Sequence, residues 1–407
     1  MSLFLIIALG VFTALLFRRR KLSNHSIDNQ YERPPLHNAW DWLGIFTLVK
    51  LVQHFKQKDV CQYTDRLFKT YGDTYAANIL GKRIIFTHNT HNITRVLSTG
   101  VGDYFPADHI GSLFMYATPN GIFAAKGLEE WKKTRKVFRT ALANNREICN
   151  LSVLEEHVGR FLRSVPLNRT GFNIQATFAD LCTDIMTSFA LGGSADQLGL
   201  TQTTSNEHFV KNLNYIKNTI AKCGRLGPLH HLYSKKRYQI ACDGARKHVI
   251  EHVDQELANP GKVSDGNQSK RSVGGSLFLR GLVRDIQDVN QLSDHCLSIL
   301  LAAIDSMTTV LSATFFLLAK DERVTEKLRA TILENVGYEH PTYEQLQSMK
   351  YLHYVLNEGR YAMIQISYIV TRILQAVSEI TDYNYDDWKE QFGFGFENAN
   401  GVVVGLG

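Results

Sequence analysis

The apolar positions of this chain recur at helical spacing over most of its length. The longest such run is residues 297–318, LSILLAAIDSMTTVLSATFFLL. It is apolar on nearly every side and holds neither Gly nor Pro, which is how a helix buried all round reads. Extended to residues 292–320, it would be about 43 Å long at 1.5 Å per residue. Asp305 and Ser306 interrupt it. A carboxylate inside a buried helix costs several kcal/mol unless something engages it. Asp and Ser also start helices, but the apolar period continues on both sides with no breaker. The pattern predicts one helix passing through the pair.

Elsewhere the patterning alternates between short strands and amphipathic helices. Residues 74–88, TYAANILGKRIIFTH, predict two strands around a Gly81-Lys82 turn, and 89–97 a helix after them. Residues 129–142, EEWKKTRKVFRTAL, form a basic amphipathic helix, and 172–191 a mostly apolar one. Residues 206–237 read as a helix pair broken at 224–228, and 259–275 as a polar loop. Residues 325–336 and 343–358 are further helices. Because 343–377 contains one Gly and no Pro, it can run on as a single long helix kinked at Gly359. Asn400-Gly401 signals a turn before Val402-Val403-Val404.

The first residues change the picture of where the chain sits. Residues 2–17 are uncharged and apolar, and Arg18-Arg19-Arg20-Lys21 follow at once. The run is shorter than the roughly 20 residues of a comfortable span, a length the thin endoplasmic reticulum bilayer accommodates. No basic residue precedes the run and no small-residue cleavage site follows it, so it reads as an uncleaved anchor. The basic cluster behind it puts the rest of the chain in the cytosol. We expect an anchor over 1–21, a polar, Pro-ended linker over 22–37, and a catalytic domain over 38–407.

Composition narrows the class. Of 407 residues 44% are hydrophobic and 21% charged, which supports a real core. The net charge of +6 is too weak and dispersed for nucleic-acid binding and suits an anionic surface or an acidic partner. Cys61, Cys149, Cys182, Cys223, Cys242 and Cys296 are scattered with no CxxC pair, which excludes a zinc ribbon or a disulfide framework.

In combination and order, these segments resemble the cytochrome P-450 family, the haem-thiolate monooxygenases. The family's long helix carries Ala-Gly-x-Asp-Thr-Thr over the haem; here the run is Ala302-Ala303-Ile304-Asp305-Ser306-Met307. The resemblance implies that Asp305 relays protons and Ser306 donates one to bound oxygen. It places Ala302 and Ala303 against the haem, and it has Trp131 and Arg135, four apart on one helix face, gripping a haem propionate. It implies a mainly α fold with a small β-sheet (α+β). It also implies electrons from NADPH-cytochrome P-450 reductase, a hydrophobic substrate, and a place on the endoplasmic reticulum membrane. The likeness is greatest to the fungal n-alkane and fatty-acid hydroxylases.

One block is missing. The helix 343–358 should end in Glu-x-x-Arg, but Glu358 is followed by Gly359 and Arg360, two residues on and about 200° away round a helix. Residues 359–376, GRYAMIQISYIVTRILQA, resemble the helix that follows the haem-binding loop. Everything between, including the Phe-x-x-Gly-x-Arg-x-Cys-x-Gly loop, is absent, so the fold is expected to be incomplete on the proximal haem side. Two readings follow: a long-chain alkane or fatty-acid hydroxylase impaired by an internal deletion near 358–360, or a catalytically dead, membrane-anchored remnant or gene-model or splice fragment able at most to bind lipid or a partner.

Overall fold

The computed structural model describes residues 33–104, 108–143, 150–199, 203–226, 230, 233–258, 276–356 and 360–407. The expected anchor and the 259–275 loop lie outside the described residues, as does most of the linker. The chain folds as two compact units: residues up to Lys56 with Val60–Thr99, and Gln57–Asp59 with Gly100–Gly407.

The first unit contains β1 (Leu36–His37), α1 (Ile45–Gln57), α2 (Val60–Tyr71), β2 (Thr74–Ile79), β3 (Lys82–Thr87) and α3 (Thr90–Thr94). β1 runs parallel to β2, and β2 antiparallel to β3. The hairpin forms where the alternation predicts it, with its turn one residue earlier. Leu80 and Gly81 have φ of 49° and 75°, the left-handed pair that a two-residue turn needs to match the strand twist. Asn89 caps α3 by accepting from the backbone of His91 and Asn92.

The second unit is mainly helical: α4 (Asp108–Phe114), α5 (Leu128–Ala141), α6 (Leu151–Ser164), α7 (Ile174–Leu191), α8 (Thr204–Leu226), α9 (Lys236–Ala258), α10 (Leu277–Val283), α11 (Val289–Lys320), α12 (Glu322–Asn335), α13 (Tyr343–Ser348), α14 (Lys350–Leu356) and α15 (Arg360–Ala376). Its strands are short: β4 (Phe172–Asn173), β5 (Ile380–Asp382), β6 (Glu390–Phe392), β7 (Phe396–Asn398) and β8 (Val403–Leu406). β8 lies between β4 and β5, antiparallel to both, and β6 pairs only with β7. Fold class is therefore as expected, mainly α with small sheets.

Everything in this unit is arranged on α11. The Asp288 carboxylate starts it by accepting from Gln291 N at 2.9 Å, and the helix runs through Asp305-Ser306 unbroken. α7, α9, α10, α12, α14, α15 and strands β5, β7 and β8 all pack on it. It is long and apolar enough to cross a bilayer, but most of it is enclosed by protein, so it is a core helix. Fully buried Asp294 braces it: its carboxylate accepts from Asn120 N at 2.9 Å, Asn120 Nδ2 at 2.8 Å and Arg246 Nε at 3.0 Å. Those bonds tie α11 to α9 and to the loop before α5.

Three expectations need correction. Residues 343–377 are not one kinked helix. The chain leaves the helical region at Met349, where ψ is 81°, and α15 packs back on both α13 and α14, which a straight continuation could not do. The Glu155 carboxylate of α6 holds α15 in place, accepting from Arg372 Nε at 2.7 Å, Arg372 Nη2 at 2.9 Å and the Tyr368 hydroxyl at 2.6 Å. Second, the helix pair read at 206–237 is longer: its second member begins only at Lys236 and ends at Ala258. Third, the Asn400-Gly401 turn does not close a hairpin. Gly401 has φ of 74°, and the chain crosses there from β7 to the other sheet.

Candidate functional site: the open stripe of the central helix

Burial divides α11 into two faces. Leu297, Leu300, Leu301, Ile304, Met307, Leu311 and Phe315 are closed off by neighbouring helices and strands. Ile299, Ala302, Ala303, Ser306, Val310 and Ala313 are only partly covered or open, and Leu317 is 64% exposed. These positions recur three and four residues apart, so they form one continuous stripe down a single side of the helix. The three stripe residues singled out by sequence, Ala302, Ala303 and Ser306, are thus brought together. The Ser306 hydroxyl donates to Ala302 O at 2.8 Å, with Ala303 O at 3.1 Å, the back-bond open to a serine inside a helix.

Asp305 does not share their surroundings. It lies about 100° further round and meets α8, where Lys217 Nζ is 2.5 Å from its Oδ1. Both side chains are nearly enclosed, at 11% and 13% exposure, so each charge is compensated mainly by the other. The β6–β7 hairpin closes over the pair. A Cβ at Gly395 would stand 2.8 Å from the Asp305 Cβ and 3.2 Å from Thr309 Oγ1, so only glycine lets the hairpin come this near. Glu397 follows on β7. Burial, and then the Asp305 charge, raise its pKa, while Lys217 pulls the other way. The acid and the alcohol read as a pair therefore face two environments, one ion-paired beneath α8 and one open.

Trp131 and Arg135 do come together. The guanidinium lies 4.9 Å from the centre of the Trp131 ring, a cation–π contact along α5. Both line a groove of about 700 Å³ whose described wall also carries Lys132, Lys136 and Arg139 and no carboxylate. No α11 residue lines that groove. α5 reaches α11 further along, where Phe138 stands edge-on to His295 at 5.2 Å. His295 is fully buried and neither ring nitrogen has a partner among the described residues.

Sequence reasoning passed over Lys217, Glu397, Gly395 and His295. Lys217 did leave a signal: it follows Leu213 by four and precedes Ile220 by three, a lysine in line with buried apolar positions. Such a residue needs a counter-charge. Its partner is 88 residues away, which no local pattern shows.

The cysteines complete the site's chemistry. Burial pushes the thiols of Cys182, Cys242 and Cys296 up to about 12, and Cys223 is also raised by burial. Thiols held this way are inert packing groups. Cys296, on α11 itself, is seven residues before Ala303 and so continues the edge of the stripe, but it is fully buried and belongs to the same helix, so it does not stand opposite the stripe. Cys61 is exposed on α2 in the first unit, and Cys149 lies outside the described residues.

A mainly helical protein built on one long helix, with an apolar stripe around a serine and a Trp–Arg pair on a basic helix, has the architecture of a haem oxygenase of the thiolate type. The chain belongs to the cytochrome P-450 family: residues 34–384 match it. A cytochrome P-450 monooxygenase of Fusarium mangiferae is 30% identical over 329 residues, 78% of this chain and 61% of that protein. Cytochrome P-450 52A12 of Debaryomyces hansenii is 27% identical over 342 residues, and 52A3-B of Candida maltosa 26% over 347; each match covers 80% of this chain and 64% of the relative. The chain thus spans less than two thirds of the length of these relatives.

The family's cofactor is haem. The residues present fit it on two sides: a basic groove with Trp131 and Arg135 suits propionates, and the alanine-rich stripe suits a flat apolar ring. They do not fit it on the third. The family's Phe-x-x-Gly-x-Arg-x-Cys-x-Gly loop does not occur in the sequence, and the described thiols of the second unit, Cys182, Cys223, Cys242 and Cys296, are all buried.

Proposed function

We propose that this chain is the oxygen-facing half of a haem monooxygenase for long apolar substrates, alkanes or fatty acids, and that in its present form it does not turn over. The observation that carries this is the open stripe of α11 in a sequence that lacks the family's cysteine loop. The stripe is lined by Ile299, Ala302, Ala303 and Val310, surfaces that favour an aliphatic chain. In this reading Trp131 and Arg135 are the haem-edge residues, Ala302 and Ala303 the ring contacts, and Asp305 and Ser306 the proton-handling pair. Lys217 ion-pairs with Asp305 and holds its carboxylate charged.

The apolar run 2–17 with its basic tail supports an anchor in the endoplasmic reticulum membrane over 1–21, a linker over 22–37 and a cytosolic domain over 38–407. The basic face of α5, Lys132, Lys133, Lys136 and Arg139, supports docking of an acidic partner such as the NADPH-linked reductase. The relatives named above support the oxygenase ancestry, and the missing block supports loss of turnover.

The test is spectroscopic. The full chain, purified with added haem, is reduced and given carbon monoxide. We expect no thiolate-type Soret band. Such a band would show a sulfur on the iron and overturn the reading.

A further inference from the structure

A second cavity lies on the opposite side of α8 from the Lys217–Asp305 pair. It has a volume of about 230 Å³ and is enclosed by the end of α4, by α8 and by the start of α9. Thr219 and Cys223 carry the α8 wall. Thr219 is two residues beyond Lys217 and Cys223 six, so both point roughly 120–160° away from the side chain that reaches α11. The cavity is therefore separate from the stripe and does not depend on haem.

Its floor is apolar: Leu113, Met115 and the ring of Tyr116. The Tyr238 hydroxyl, also in the wall, is spent on Leu113 O at 2.7 Å. Lys235 is the one lysine or arginine in the described lining, and that lining contains no carboxylate. Its ammonium stands 5.6 Å from the centre of the Tyr116 ring. It is near enough to Cys223 for its charge to oppose the upward push of burial on that thiol. Ser112, Thr219, His230 and Tyr233 add polar groups to the wall, the last two from the same loop as Lys235. A hollow with an apolar floor, a polar wall and one half-buried lysine suits a single negative charge on a short hydrocarbon.

We propose that this cavity binds the head and first carbons of an aliphatic monocarboxylate, with the carboxylate on Lys235 and the chain on Met115, Tyr116 and Cys223. At about 30 Å³ per water-sized group the volume holds roughly eight non-hydrogen atoms, the size of hexanoate. A ligand so small binds weakly, with Kd on the order of 1 mM.

The test uses the full chain in lipid nanodiscs and ligand-observed NMR. Hexanoate is the probe, with hexanamide as its uncharged counterpart of equal size. We expect saturable hexanoate binding, about tenfold weaker binding of hexanamide, and a similar loss of hexanoate affinity in Lys235→Met. Cys223→Phe fills the hollow and should abolish both. Equal binding of acid and amide, an unchanged affinity in Lys235→Met, or no saturable binding at all would each overturn the proposal. So would undiminished binding by a folded Cys223→Phe. Should that variant not fold, the amide and Lys235→Met decide alone.

Discussion

The two sides of α11 are made of similar residues and end in opposite conditions. Towards α7, Phe178 lies between Phe161, stacked at 5.4 Å, and Phe315 of α11 at 5.2 Å, and all three rings are fully enclosed. On the far side Ile299, Val310 and Leu317 are at least partly open. Apolar side chains do not stay open along a central helix without reason, because each loses the roughly 25 cal/mol per Å² that burial returns. An apolar stripe thus shows what a helix was shaped to contact. Only its neighbours show whether that contact is there. In this chain one side has its partners among the described helices and strands, while the other is left partly open.

The largest expected effect lies on the closed side. Phe178→Ala removes a ring from the stack and leaves a cavity that rigid neighbours cannot fill. We expect a loss of about 3–5 kcal/mol in chemical unfolding of the full chain. A loss below about 1 kcal/mol would mean that the α7 face is as loosely held as the stripe, and the contrast between the two sides would disappear.

How much of this contrast was legible beforehand differs by kind of information. Residues 297–318 announce a buried helix because their apolar period covers every side, and Trp131 and Arg135 announce a shared face because four residues make one turn. Those are local facts. The Lys217–Asp305 pair joins residues 88 apart, and the closeness of Gly395 depends on a hairpin that returns from the far end of the chain. The break at Met349 has no Gly or Pro to mark it; packing of α15 against α13 and α14 imposes it. Nor could any pattern show that the stripe is uncovered, since periodicity reports what a face is made of and says nothing of what meets it.

A middle-sized effect comes from His295, which continues the line of the stripe two turns before Ala302, where Phe138 covers it. Neither ring nitrogen has a hydrogen-bond partner among the described residues, and burial lowers its pKa from 6.5 to about 4. The sign follows from which state takes up the proton first. Above pH 6.5 the ring is neutral both folded and unfolded, and stability is full. Between 6.5 and 4 the unfolded chain binds the proton and the folded chain does not, so stability falls as pH falls. At about 1.4 kcal/mol per pKa unit, the loss at pH 5 is about 2 kcal/mol. His295→Leu should lack this part of the acid slope and be near neutral at pH 7, since it also removes two unpaired polar atoms. If parent and variant show the same slope, the covered end of the stripe is wetter than its burial indicates.

The smallest effect is the most telling about the open side. Ser306 is exposed in the middle of the most central helix, and its hydroxyl does no more than return to the carbonyl of Ala302. Ser306→Lys therefore places a long, charged side chain into open space. Lysine is the better helix former, and a surface change of this kind stays within about 0.5 kcal/mol. The same substitution on the covered side, at Leu311, would bury an unpaired ammonium and cost several kcal/mol. Were a flat ligand or a second chain lying on the stripe in solution, Ser306→Lys would behave like the Leu311 change. A loss above about 2 kcal/mol in chemical unfolding would accordingly show the stripe to be covered after all, and a change near zero would show that the stripe is open along α11.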